Sequence, residues 1–265
     1  MRRGVYRKAG RVCVSRSQTY CCGSVASWRI EVLTTARMRA CVVIFPGSNA
    51  DAEMIHTLRD VCGAPTTVAW HTDASLPAGA DLVALPGGFS YGDYLRTGAI
   101  AKVSPILSAI RAHADRGGYV LGVCNGFQIL TEAGLLPGAL TRNLHQRFEC
   151  GDWFVKVTAT GPFTQNLGAV WKLPIAHGEG RFQADPQTLR RLEGDGLIGL
   201  RYCTRQGAFE PGANPNGSLC DIAGIYGGPR KNVFGLMPHP ERMSESVLGG
   251  ADGRKLFESV LEASY

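Results

Sequence analysis

No apolar run in the sequence approaches the ~20 residues that a membrane-spanning helix needs, so no such helix is expected. There is no G-x-x-x-x-G-K-S/T phosphate loop, so ATP-driven chemistry is not expected in this chain. The nine cysteines (13, 21, 22, 41, 62, 124, 150, 203 and 220) include no C-x-x-C pair and are odd in number. No secretory signal precedes them, which argues against a disulfide framework and for a reduced, cytoplasmic protein. Nor do the six histidines cluster with cysteines at metal-ligand spacing, so no metal is expected. Acidic residues are scarce at one end only. Residues 1–37 hold eight Lys and Arg against the single Glu31, which leaves 20 basic and 21 acidic residues from Met38 onward out of totals of 28 and 22. The body therefore has a net charge of −1, and the overall +6 is no nucleic-acid footprint.

The Arg- and Ser-rich segment 1–37 shows no useful periodicity and resembles a transit peptide in composition. It is expected to be a disordered leader or an over-extended start, with one domain spanning 38–265. From Ala40 the pattern changes. ACVVIF and GYVLGVC read as short buried strands, TTVAW and DLVALPGG as strands between them, and the segments between and after them carry helical spacing. Asn49 or Asp51 is placed to cap the first helix. Ser104–Ala114 and the stretch from Asn125 to about Gly134 read as further helices. This alternation predicts an α/β fold with a central, mostly parallel sheet flanked by helices on both faces. Later strands are expected in WFVKVTAT, WKLPIAHG, LIGLRYC and NVFGLMPH, with helices over Asp185–Gly194 and the C-terminal DGRKLFESVLEA.

Cys124 stands where the strand Tyr119–Val123 runs into a helix, flanked by Gly122 and Gly126. A strand-to-helix elbow needs small neighbours, and a helix N-terminus favours thiolate over thiol. A thiol nucleophile also needs a base, and the base an orienting group. His239 and Glu241 in Met237-Pro238-His239-Pro240-Glu241 are such a pair, held extended by the two prolines. The Gly87-Gly88 turn lets backbone N–H groups approach a ligand, as an oxyanion hole requires, and Asn125 is placed to give a second donor.

In this order the elements resemble the class I (triad) glutamine amidotransferases. Val120–Leu130 is similar to the family's nucleophile signature and Pro238–Glu241 to its His-Glu element. The resemblance implies a γ-glutamyl thioester on Cys124, with His239 as base and acid and Glu241 orienting it. It assigns oxyanion donors to Gly88 and Asn125 and a hold on glutamine to Gln128. Phe45–Asn49, GGFSYGDYLRTGAIA (Gly87–Ala101), RNLHQRF (Arg142–Phe148) and IAHGEGRF (Ile175–Phe182) further resemble the stand-alone glutaminase subunits of phosphoribosylformylglycinamidine synthases. That likeness implies a role in purine biosynthesis, with L-glutamine as substrate and a PurL-type synthetase and a small PurS-type subunit as partners. ATP and magnesium would then sit on the synthetase, with no cofactor in this chain. Segment 1–37 departs from that pattern. Arg96 and Arg147 are candidates for the glutamine carboxylate or the partner. His177 and Glu179 are either partner-facing or gating groups, or polar residues of a surface turn.

A γ-glutamyl hydrolase on the same elbow would not need the Gly87–Ala101 motif. A cysteine-elbow chaperone or deglycase would lack the late His-x-Glu element. A binding module without catalysis would have lost Cys124, His239 or Glu241, and all three are present.

Overall fold

The computed structural model describes residues 38–263, so the leader expected at 1–37 lies outside the described residues. The strand-like runs become five parallel strands of one sheet. These are β1 (Ala40–Ile44), β2 (Thr66–Trp70) at its edge, β3 (Leu82–Leu85), β4 (Tyr119–Val123) and the late β11 (Val233–Leu236). β1, β3, β4 and β11 are buried almost throughout, as central parallel strands covered on both faces must be. The helices α1 (Asp51–His56), α2 (Ile106–Asp115) and α3 (Asn125–Glu132) pack on these strands. The fold is the expected α/β sheet flanked by helices.

The sheet has nine strands in the order β2-β1-β3-β4-β11-β10-β9-β6-β7. Beyond β11 the pairing is antiparallel, through β10 (Ile222–Gly227), β9 (Ile198–Cys203), β6 (Glu149–Val157) and β7 (Val170–His177). β10, which joins the two halves of the sheet, is not among the strands expected from the sequence. Its IAGIYG pattern is broken by Gly224 and ends on Gly227-Gly228, which weakens the strand signal. A small second sheet pairs β5 (Ala139–Thr141) with β8 (Arg181–Gln183), also unforeseen. The helix α4 (Pro186–Gly194) follows β8, and α5 (Arg254–Leu261) ends the described chain.

One local expectation is corrected. Neither Asn49 nor Asp51 caps α1, because the N-cap residue is Ala50 and no side chain bonds the helix start. Instead the N–H groups of Asn49 and Ala50 donate to the Gly87 carbonyl at 3.2 Å each, which ties the start of α1 to the loop after β3.

Candidate active site

Parallel α/β sheets present ligands at the carboxyl ends of their strands, and here β3, β4 and β11 end side by side. Each delivers one part of the site. β4 runs into Cys124, which has φ +50° and ψ −105° and precedes the first residue of α3. That strained backbone persists only because its surroundings enforce it. A Cβ on Gly126 would lie 2.1 Å from the Leu85 carbonyl oxygen, so α3 can approach β3 only through glycine. The Cys124 N–H donates to Leu236 O at 2.8 Å, and Sγ lies 3.8 Å from Ala176 O.

β11 leads through Met237 and Pro238 to His239, followed by a short 3₁₀ turn over Pro240–Met243. His239 and Glu241 are both buried, and Nδ1 meets Oε1 at 2.6 Å. The His239 N–H donates to Pro174 O at 2.8 Å, so β7 braces the segment. The hydroxyls of Thr57 and Ser244 both donate to Glu241 O. Burial pushes the His239 imidazole toward neutrality. The Glu241 carboxylate and the Cys124 sulfur outweigh it and raise the pKa to about 10. His239 Nε2 has no hydrogen-bond partner among the described residues, which leaves it available on the side of the ring away from Glu241.

β3 leads into Gly87-Gly88. A Cβ on Gly87 would lie 2.6 Å from His239 Cε1 and 3.5 Å from Cys124 Cβ, so this residue fills the space between the two side chains. Gly88 has φ +152° and lies against Gly47–Asn49, where a Cβ would come within 2.5 Å of Gly47 O. With the Gly87 carbonyl held by α1, the trans peptide turns the Gly88 N–H the opposite way. The Asn125 N–H opens α3 and has no partner within the helix.

The structure thus brings Cys124, His239, Glu241, Gly87, Gly88 and Asn125 together. Gln128 lies one turn beyond Cys124, buried, with Nε2 on Glu179 O at 2.6 Å and Oε1 accepting from Asn125 Nδ2 at 3.1 Å. Arg147 is exposed. Arg96 pairs with Glu132 at 2.5 Å, tying its loop to α3. His177 is no surface group: it is buried, with Nδ1 donating to Asn143 Oδ1 at 3.1 Å. Burial, and then His239, push its pKa down to about 3. A buried polar set thereby emerges that single-residue reasoning missed. Asn143 also bonds His177 O and Gly180 N, and Asn216 bonds Gly180 O. No sequence spacing links these residues; the Asn216-Gly217 dipeptide marks a turn but not the contacts it makes. Among the described residues no cluster of potential metal ligands occurs.

Residues 37–251 match the CobB/CobQ-like glutamine amidotransferase domain, the class that this sheet and elbow define. The chain is 50% identical over 228 residues to phosphoribosylformylglycinamidine synthase subunit PurQ of Bradyrhizobium diazoefficiens, covering 85% of this chain and 97% of that one. It is also 50% identical over 230 residues to the PurQ subunit of Gloeobacter violaceus, covering 86% and 98%. The chain belongs to the PurQ family of phosphoribosylformylglycinamidine synthase subunits. A solved structure of PurLQS from Thermotoga maritima superposes with a TM-score of 0.74 at 41% identity, covering 85% of this chain and 98% of that one.

Proposed function

We propose that the chain hydrolyses L-glutamine and delivers the ammonia to a PurL-type synthetase, assembled with a PurS-type subunit. The synthetase, with ATP and magnesium, converts formylglycinamide ribonucleotide to its amidine. The observation that carries this reading is the meeting of an elbow cysteine with a buried His239–Glu241 pair at 2.6 Å. Glu241 keeps the imidazole protonated at neutral pH, and a protonated imidazole beside the sulfur is what a thiolate nucleophile requires.

In the first half-reaction the Cys124 sulfur attacks the glutamine amide carbon and an S–C bond forms. The carbonyl oxygen takes the negative charge, and the Gly88 and Asn125 N–H groups are placed to receive it. The intermediate collapses, the C–N bond breaks, and His239 gives its proton to the departing ammonia. In the second half, water attacks the thioester while neutral His239 takes its proton. Glutamate then leaves and the sulfur is restored. Glu241 orients the imidazole and stabilises its charge in both halves. Gln128, held at both ends of its amide, forms part of the glutamine pocket wall, and exposed Arg147 serves substrate entry or the partner.

No described helix is long and apolar enough to cross a membrane. We place the protein in the cytoplasm and read 1–37 as a leader or an over-extended start, with 38–265 as the glutamine amidotransferase domain. The glutaminase should turn over slowly alone and accelerate strongly when the synthetase subunits are added, read as glutamate release. Full-rate hydrolysis without them contradicts the assignment to a synthase complex.

A further inference from the structure

The buried set beside the site holds the residues on either side of Glu179, which the sequence leaves between a partner-facing or gating group and a surface turn. It sits between Gly178 and Gly180 in the link from β7 to β8, and it engages two parts of the site at once. Its main-chain oxygen accepts the Gln128 amide at 2.6 Å. Its carboxylate accepts the Thr97 hydroxyl at 2.8 Å, with Arg142 Nε 3.6 Å away on the other oxygen.

Thr97 lies near the far end of the loop that begins at Gly87-Gly88. The near end is fixed separately, because Ser90 N–H donates to Asn125 Oδ1 at 3.2 Å, and Asn125 in turn holds Gln128. A closed circuit follows: Ser90, Asn125, Gln128, Glu179, Thr97, and back through the loop to Ser90. Between these two feet, Tyr91, Asp93 and Leu95 all have left-handed backbones, with φ of 55°, 56° and 71°. Each such non-glycine residue costs on the order of 1 kcal/mol and persists only where the surroundings impose it. At the crest of the arch, Tyr94 and Leu95 are 74% and 93% exposed. Apolar packing therefore does not hold the crest, and polar contacts set the shape: the two feet, Tyr91 on His71 at 2.7 Å, and Arg96 on Glu132 at 2.5 Å.

We infer that Glu179 is a positioning residue for the glutaminase. Through Thr97 it anchors the far end of the loop that begins at Gly87-Gly88, and through its carbonyl it fixes Gln128, so one residue keeps that loop and a wall of the glutamine site in register. It touches neither the scissile amide nor the sulfur. The inference rests on the glutaminase reading.

The test uses the full chain reconstituted with its synthetase subunits, following glutamine-dependent amidine formation and glutamate release. Glu179→Ala is expected to lower kcat/KM for glutamine by roughly 10- to 100-fold, because the loop freed at Thr97 no longer holds the site in its productive geometry. Glu179→Gln keeps an oxygen for the Thr97 hydroxyl and should stay within about threefold of wild type, a loss of under ~0.7 kcal/mol. Thr97→Val should reproduce the defect and Thr97→Ser should not. The double variant Glu179→Ala/Thr97→Val should be no worse than the weaker single variant, since both cut the same link. Should Glu179→Ala fail to fold, as read by its thermal midpoint, the Thr97 pair carries the test. The inference is overturned if Glu179→Ala, or a folded Thr97→Val, stays within twofold of wild type. It is equally overturned if the conservative variants are as damaged as the others, or if the double variant shows multiplied losses. Wild-type chain that releases no glutamate in the complex would overturn the glutaminase reading instead, a result that these variants cannot mimic.

Discussion

Gly126 shows how little room the nucleophile's turn leaves. Its missing side chain admits the Leu85 carbonyl, and α3 therefore starts close enough to β3 for Cys124 and the Gly87-Gly88 turn to meet. Gly126→Ala forces the helix off the sheet, and overpacking of this kind costs about 1–3 kcal/mol. We expect a lower urea midpoint together with a glutaminase rate reduced at least tenfold; an unchanged midpoint and rate would show that the elbow has slack. At this scale the turns that carry Cys124, His239 and Glu241 are legible. Glycines, prolines and a cysteine in fixed local order encode a turn directly, and Cys124, His239 and Glu241 all sit on such turns. His177 and Glu179 were not legible, because their surroundings come from Asn143, Asn216 and Thr97, which lie far away in the chain.

The strands that carry the site were readable as elements because continuous apolar runs such as VLGV and ACVV have few other uses in a soluble domain. The strand β10 and the sheet of β5 with β8 escaped notice, since short or glycine-broken segments gain strand character only from their neighbours. Two elements also give the fold opposing pH limits. The end of β7 buries neutral His177, whose pKa is lowered to about 3, so its stability is fully present above the unfolded value near 6.5 and is lost as pH falls toward 3. The turn after β11 buries charged His239, whose pKa is raised to about 10, so its stability is fully present below 6.5 and is lost as pH rises toward 10. Urea unfolding followed across pH should give greatest stability near neutrality. His239→Asn should flatten the alkaline limb relative to wild type. Parallel alkaline limbs in the two proteins would contradict a charged His239 in the fold.

Across the whole molecule, a parallel half-sheet supplies the elbow, the oxyanion turn and the His-Glu segment, while an antiparallel half folds β7 against them. The sequence predicted the first half by its alternation of strand and helix. The register of the second half depends on pairings between strands well separated in the chain, β6 with β9 and β9 with β10, that no local pattern specifies. The proposed division of labour is also a whole-molecule property, with ammonia made at Cys124 and consumed on another subunit. Amidine formation by the assembled synthase, with glutamine and with ammonium salts as alternative nitrogen sources, tests that claim most directly. Cys124→Ala should abolish glutamine-supported synthesis and leave ammonium-supported synthesis at the wild-type rate. Glutamine-supported synthesis that survives the substitution, or loss of both activities together, would contradict Cys124 as the nucleophile that feeds the partner.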